Sequence, residues 1–134
     1  MPIAASGMAA ASASLTASAS NIANMQSDGP VPATGPLQPA PPTTGSVYQA
    51  VSASRQTSPG RGVTPLIFPT LPSYTLIYDP SAPYANLQGM VAAPNVDPAT
   101  EAVNQISASA AFRANLAVFD SSSKDFQALL DMLA

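Results

Sequence analysis

Thirteen of the fifteen prolines in this 134-residue chain lie between residues 28 and 97. Proline fixes φ, donates no N–H and disfavours helix in the residue before it. No long helix survives that density, so long helices are confined to the two ends.

Residues 1–27 are mainly Ala and Ser. Met8, Leu15 and Ile22 recur every seven residues, with Ala4, Ala11, Ser18 and Met25 as the companion row. A heptad with small residues in one row suits a helix packed closely on another. Alanine favours that helix and serine weakens it, so its stability must come from packing. Asn24 and the run Ser27-Asp28-Gly29-Pro30 end it. Residues 28–45 read as a flexible or polyproline-II-like linker. Residues 46–97 read as a small extended or irregular region. Its extended runs are Val47–Val51, Val63–Phe68 and Tyr74–Tyr78, with turns at Asp79-Pro80, Ala82-Pro83 and Gly89.

Residues 98–134 carry the clearest element. Asp97 supplies an N-cap, Pro98 the first helical position and Glu101 an acidic first turn. Phe112, Phe119, Phe126 and Leu133 form one heptad row; Leu116, Ser123 and Leu130 form the other. A helix over residues 98–133 spans roughly 54 Å, against roughly 33 Å for the N-terminal one. The shorter helix leaves some of the stripe for other subunits. The expected architecture is mainly α: two long terminal helices in a coiled-coil-like hairpin, joined by a Pro-rich linker with a small β or irregular extension.

Composition narrows the function. Alanine supplies 26 residues, whereas Leu, Ile, Val and Phe number 27, or about 20%, the edge of what a chain needs to bury a core alone. Only 8% of residues are charged, against roughly 25% in an ordinary domain. That poverty of charge fits a surface covered by partners. With four Lys and Arg and a net charge of −3, the chain is not expected to bind nucleic acid. It has no His and no Cys, so Ser-His-Asp and Cys-His catalysis, His/Cys zinc sites and disulfides are excluded. No cofactor, metal site or catalytic group is expected. The start has no basic residue before Arg55 and no compact apolar core of a signal peptide. No apolar stretch is long enough to span a membrane.

Several motifs have plain readings. Pro36-x-x-Pro39 and Pro39-x-x-Pro42 lack a flanking basic residue and read as linker. Gly60-Arg61-Gly62 is a turn without the setting of a phosphate loop. Asp120, Asp125 and Asp131 are helix-surface carboxylates. Asn21 and Asn24 read either as helix C-terminal caps or as subunit contacts.

The ends of the chain also carry a family pattern. Ser6-Gly7-Met8, Leu15 and Ser20-Asn21-Ile22-Ala23-Asn24 resemble the N-terminal signature of flagellar axial proteins. Tyr78-Asp79-Pro80, Ala85-Asn86, Gly89-Met90-Val91 and Pro94-Asn95-Val96-Asp97 follow the order seen in flagellar basal-body rod proteins of the proximal rod. Glu101, Ser107-Ala108-Ser109, Phe112, Ala114-Asn115, Lys124 and Leu130 continue it. The resemblance covers roughly residues 4–27 and 46–134. It implies a structural subunit of the rod, supporting motility and exported by the flagellar type III apparatus without a cleaved signal. Its implied place is the periplasmic proximal rod by the MS ring. There it would pack, through terminal helices of an inner coiled-coil layer, against other rod subunits and copies of itself. Other readings are a different axial or divergent accessory subunit, or a largely disordered adaptor that binds a partner helix. The residues expected at subunit contacts are Met8, Leu15, Asn21, Ile22 and Asn24 at the start. At the end they are Phe112, Asn115, Leu116, Phe119, Phe126, Leu130 and Leu133.

Overall fold

The computed structural model describes residues 2–39, 45–60 and 62–133. Helix α1 (Pro2–Ala23) opens the chain. Strands β1 (Val51–Ser58), β2 (Gly62–Pro69), β3 (Tyr74–Tyr78) and β4 (Met90–Pro94) follow. Helix α2 (Pro98–Leu133) closes it. β1 pairs antiparallel with β2, and β3 with β4, giving two separate two-stranded sheets.

The chain is therefore mixed α and β, not the mainly α coiled-coil hairpin that its heptads and prolines predict. The physical reason lies in which residues of α1 are covered. Ala4, Ala10, Ala11, Ala17, Ser18 and Asn21 are buried, whereas Leu15 is 38% exposed. The inner face of α1 is built from small residues at close approach. Large knobs in holes, the mark of a coiled coil, are not what joins the helices. The rest of that face is taken by the β1–β2 hairpin, which contacts α1 along both strands.

The hairpin runs along α1 from its C-terminal end to its N-terminal end. Asn21 Nδ2 donates to Val51 O at 2.8 Å near the base. Val63 N–H donates to Ser6 Oγ at 3.1 Å near the tip. Gly60 and Gly62 turn the tip with φ of +73° and +84°, a region that favours glycine. A Cβ on Gly62 would also collide with the Ser6 side chain. Arg61, the middle of the expected Gly60-Arg61-Gly62 turn, lies outside the described residues. In β2, Pro65 and Pro69 pair with Arg55 and Val51. Both sit where the backbone groups point away from β1, the place an edge strand tolerates proline.

The second sheet holds a small core of Val47, Tyr74 and Ala92, with Val31 against it. The described part of the expected linker is tied to it. Gly29 and Ala92 exchange backbone hydrogen bonds at 2.9 Å. Tyr74 Oη donates to Thr34 O, and Ser73 N–H and Oγ donate to Pro36 O. Pro42 of the Pro39-x-x-Pro42 motif lies outside the described residues.

Two strands differ from the sequence expectation. The first extended run begins at Val51, not at Val47, and continues through polar Ser58. β4 occupies Met90–Pro94, where turn signals had marked only Gly89.

Gly62→Ala should destabilise the fold by about 1–3 kcal/mol, the cost of a non-glycine residue held at positive φ. Gly35 has open space around it and no positive φ. Gly35→Ala should change stability by no more than about 0.5 kcal/mol. Urea unfolding of the two variants checks the contrast.

Candidate subunit interface

The site is built from α2 outward. Asp97 caps the helix: its Oδ1 accepts the Ala99 N–H at 3.3 Å and its Oδ2 the Thr100 N–H at 3.1 Å. The Thr100 hydroxyl donates to the same carboxylate. That hydroxyl bond, followed by the two backbone N–H bonds, holds the Asp97 carboxyl below its ordinary value. Pro98 then needs no N–H partner at the first helical position.

α1 lies antiparallel on the first half of α2. Ser18 Oγ donates to Glu101 O at 2.9 Å at one end. At the other end Gly7 sits so close to Asn115 that an added Cβ would meet its side chain. Asn115 holds its own position by donating to Ala111 O at 2.8 Å.

Asn21 joins three elements. Its Nδ2 donates to Val51 O and, at 2.6 Å, to Glu101 Oε1. Its Oδ1 accepts the Val51 N–H at 2.9 Å and the Tyr48 hydroxyl at 3.1 Å. The side chain is 2% exposed, and all four bonds are made by protein groups. One amide thus ties α1, β1 and α2 together. Sequence reasoning singled out Asn21 but not its partners Tyr48, Val51 and Glu101. In the sequence Glu101 reads only as an acidic first-turn residue and a member of the rod-protein pattern.

Asn24 follows the end of α1 and donates from Nδ2 to Ser20 O at 2.8 Å. It caps the helix through its side chain and not through a left-handed backbone, since no described non-glycine residue has positive φ.

α1 begins at Pro2, five residues before Gly7. Antiparallel packing places that start opposite about residue 120 of α2. Some 13 residues of α2, roughly 20 Å, therefore extend past α1. Phe126 is 57% exposed, Leu130 50% and Leu133 84%. Leu129 and Met132 are exposed beside them. Nearer to α1, Phe112 and Leu116 are exposed to a lesser degree, while Phe119 and Asn115 are half-buried. Met8, Ile22 and Asn24 are half-buried along α1. Of the residues expected at subunit contacts, the apolar members of the α2 set follow one helix face, with polar Ser123 between Phe119 and Phe126. The α1 set is divided between its own interior (Asn21) and a partly covered edge. Ala11, Leu15, Ala108 and Phe112 flank a groove of about 320 Å³ between the helices.

Among the described residues no group of three or more Asp and Glu gathers as a metal site. No described helix is long and apolar enough to cross a membrane.

Residues 87–132 match the family of the flagellar basal body rod FlgEFG protein C-terminal region. This segment is similar to the C-terminal region of flagellar basal-body rod proteins. In the structure it runs from Leu87 through β4 and nearly all of α2. The flagellar basal-body rod protein FlgC of Salmonella typhimurium is 38% identical over 74 residues, 55% of this chain and 54% of that protein. FlgC of Aquifex aeolicus is 39% identical over 57 residues, 42% of each chain. FlgC of Buchnera aphidicola from Acyrthosiphon pisum is 51% identical over 43 residues, 32% of each. The chain thus spans between a third and about half of the length of these rod proteins. The rod resemblance read from the sequence is borne out there.

Asn21→Leu keeps the volume but strands Val51, Tyr48 and Glu101 without their partner. It should lower stability by about 2–4 kcal/mol. Asn24→Ala removes one half-buried bond and should cost about 1 kcal/mol or less. Urea midpoints read both. The Asp97 cap contributes above the ordinary aspartate pKa of about 3.9. Its contribution is lost as pH falls through the lower folded value. The helical circular-dichroism signal should therefore decline on acidification below about pH 4, and less so in Asp97→Asn.

Proposed function

We propose that this chain is a structural subunit of the bacterial flagellar basal-body rod, in the proximal part of the rod, and serves motility without catalysing a reaction. The observation that carries this reading is the apolar stripe of α2 beyond the reach of α1, in the segment that matches rod proteins. A helix face with Phe126, Leu130 and Leu133 open to water is costly for a monomer, at roughly 25 cal/mol per Å² of apolar surface. Burial between subunits recovers that energy. Neighbouring rod subunits and copies of this chain are the proposed partners, with the MS-ring region at the base. The residues proposed at the contacts are Phe112, Leu116, Phe119, Phe126, Leu130 and Leu133 on α2. Asn115 joins them beside α1, and Met8, Leu15, Ile22 and Asn24 on the partly covered edge of α1. Asn21 contributes from within the subunit by fixing α1 on α2.

Export through the flagellar type III apparatus, without a cleaved signal, and assembly in the periplasm complete the proposal. The low charge of the chain suits a subunit enclosed by others.

Leu130→Asp tests the reading without touching the fold, because the side chain is half exposed in the subunit alone. The variant should be made at normal levels yet be lost from isolated basal bodies and from swimming cells. Leu116→Asp should do the same, since a charge in a buried layer is strongly unfavourable. Normal motility with both variants would contradict the proposal.

A further inference from the structure

The β1–β2 hairpin has two outer edges, and they are treated differently. Ala50 O accepts the Thr70 N–H at 2.8 Å just beyond the paired strands. Even-numbered residues of β1 therefore bond to β2, and odd-numbered ones point their N–H and C=O outward. The bonds of Val51 to Asn21 agree with this parity. On β2 the outward positions are Val63, Pro65, Ile67 and Pro69. Ser6 Oγ takes the Val63 N–H, and the two prolines have none to give. That edge is closed to another strand in the way natural sheets close theirs.

The β1 edge is not closed. Only its first outward residue, Val51, is satisfied. Asn21 offers Val51 one N–H and one C=O, the two bonds that a residue of a neighbouring strand would offer. Past it, the outward N–H and C=O of Ala53 and Arg55 have no protein partner among the described residues. They repeat at about 6.8 Å, the two-residue step of a strand. They face a groove of about 530 Å³ between β1 and the first turns of α2. Glu101 lines it near Val51, and Arg55 lines it two strand steps away. Ser14, Ser18, Thr100, Asn104 and Ser107 add to its polar wall.

We infer that β1 takes up an extended segment of a neighbouring polypeptide as a third strand, antiparallel or parallel, seated in this groove. The inference rests on the rod reading above and names a second contact of the same subunit. Alternating donors and acceptors at strand spacing are complementary to polypeptide main chain. Asn21 sets the register by occupying the first position, so added pairing begins at Ala53. Glu101 and Arg55 select a segment with a cation near the Val51 end and an anion about 13 Å along. Its side chains toward α1 must be small, because Ala17 and Ser18 form that wall.

The test uses basal bodies from cells that make the full chain. Ala53→Pro removes an outward N–H and leaves the bonds to β2 intact. Ile67→Pro does the same on the edge that is already closed, and serves as the control for strain. Both purified variants should keep the wild-type circular-dichroism spectrum. Ala53→Pro should enter basal bodies at least tenfold less than wild type, with Ile67→Pro near the wild-type level. Equal incorporation of the two, or equal loss, overturns the inference. Amide exchange of the wild-type chain gives a reading independent of any variant. The Ala53 and Arg55 amides should exchange at least tenfold more slowly in the particle than in the free chain, and unchanged exchange overturns the inference. A wild-type chain absent from the particles would instead sink the rod reading itself, and this contact with it.

Discussion

The buried amide of Asn21 is the constraint on which the rest of the structure depends. Among the described residues it is the one side chain whose hydrogen bonds join the C-terminal end of α1 to both the start of β1 and the first turn of α2. Its neighbours bring little apolar surface to that junction. The largest side chains below 2% exposure in the described residues are Val91, Asn21 and Ser73. With so thin a core, a fully satisfied polar junction does work that leucines and phenylalanines do elsewhere. It fixes where the hairpin starts, how α1 sits on α2, and which end of β1 stays unpaired. A buried amide left half satisfied would be worse than an apolar one, so the whole set of partners matters together.

From that junction the division of surfaces follows. Small residues let α1 approach α2 closely over α2's first half. The larger apolar residues are thereby left to the second half of α2, to β2 and to β3, where Leu66, Phe68 and Leu76 stand about half exposed. A chain that keeps alanines inside and phenylalanines largely outside leaves its larger apolar surface where other molecules can reach it. The match to rod proteins covers that same second half of α2, and the open edge of β1 lies at the opposite end of the α1–α2 contact.

Local chemistry was the most legible part of the sequence. Asp97-Pro98 marked the start of α2, because N-capping and proline geometry act within a few residues. The proline distribution correctly confined long helices to the ends. The fold class was misjudged because heptads report which residues recur, not which row is covered. In α1 the covered row is Ala4, Ala11 and Ser18, since the smallest residues set the distance between the helices. β1 alternates apolar and polar residues only over Val51–Ser54 and is wholly polar beyond, as it is held by its pairing with β2 and the bonds to an asparagine more than by burying side chains. β4 was hidden among turn residues because Met90–Pro94 is a short run buried on several sides. Of the residues expected at subunit contacts, the exposed apolar face of α2 follows the spacing read from the sequence. The inward role of Asn21 was not legible there, because its partners lie 27 to 80 residues away.

The most direct measurement is quantitative mass spectrometry of hook–basal bodies purified from the cells that make this protein. The account expects the chain in the particles at a few copies each, in constant ratio to the other rod proteins. Intact particles that lack it, from cells in which it is abundant, would contradict the account.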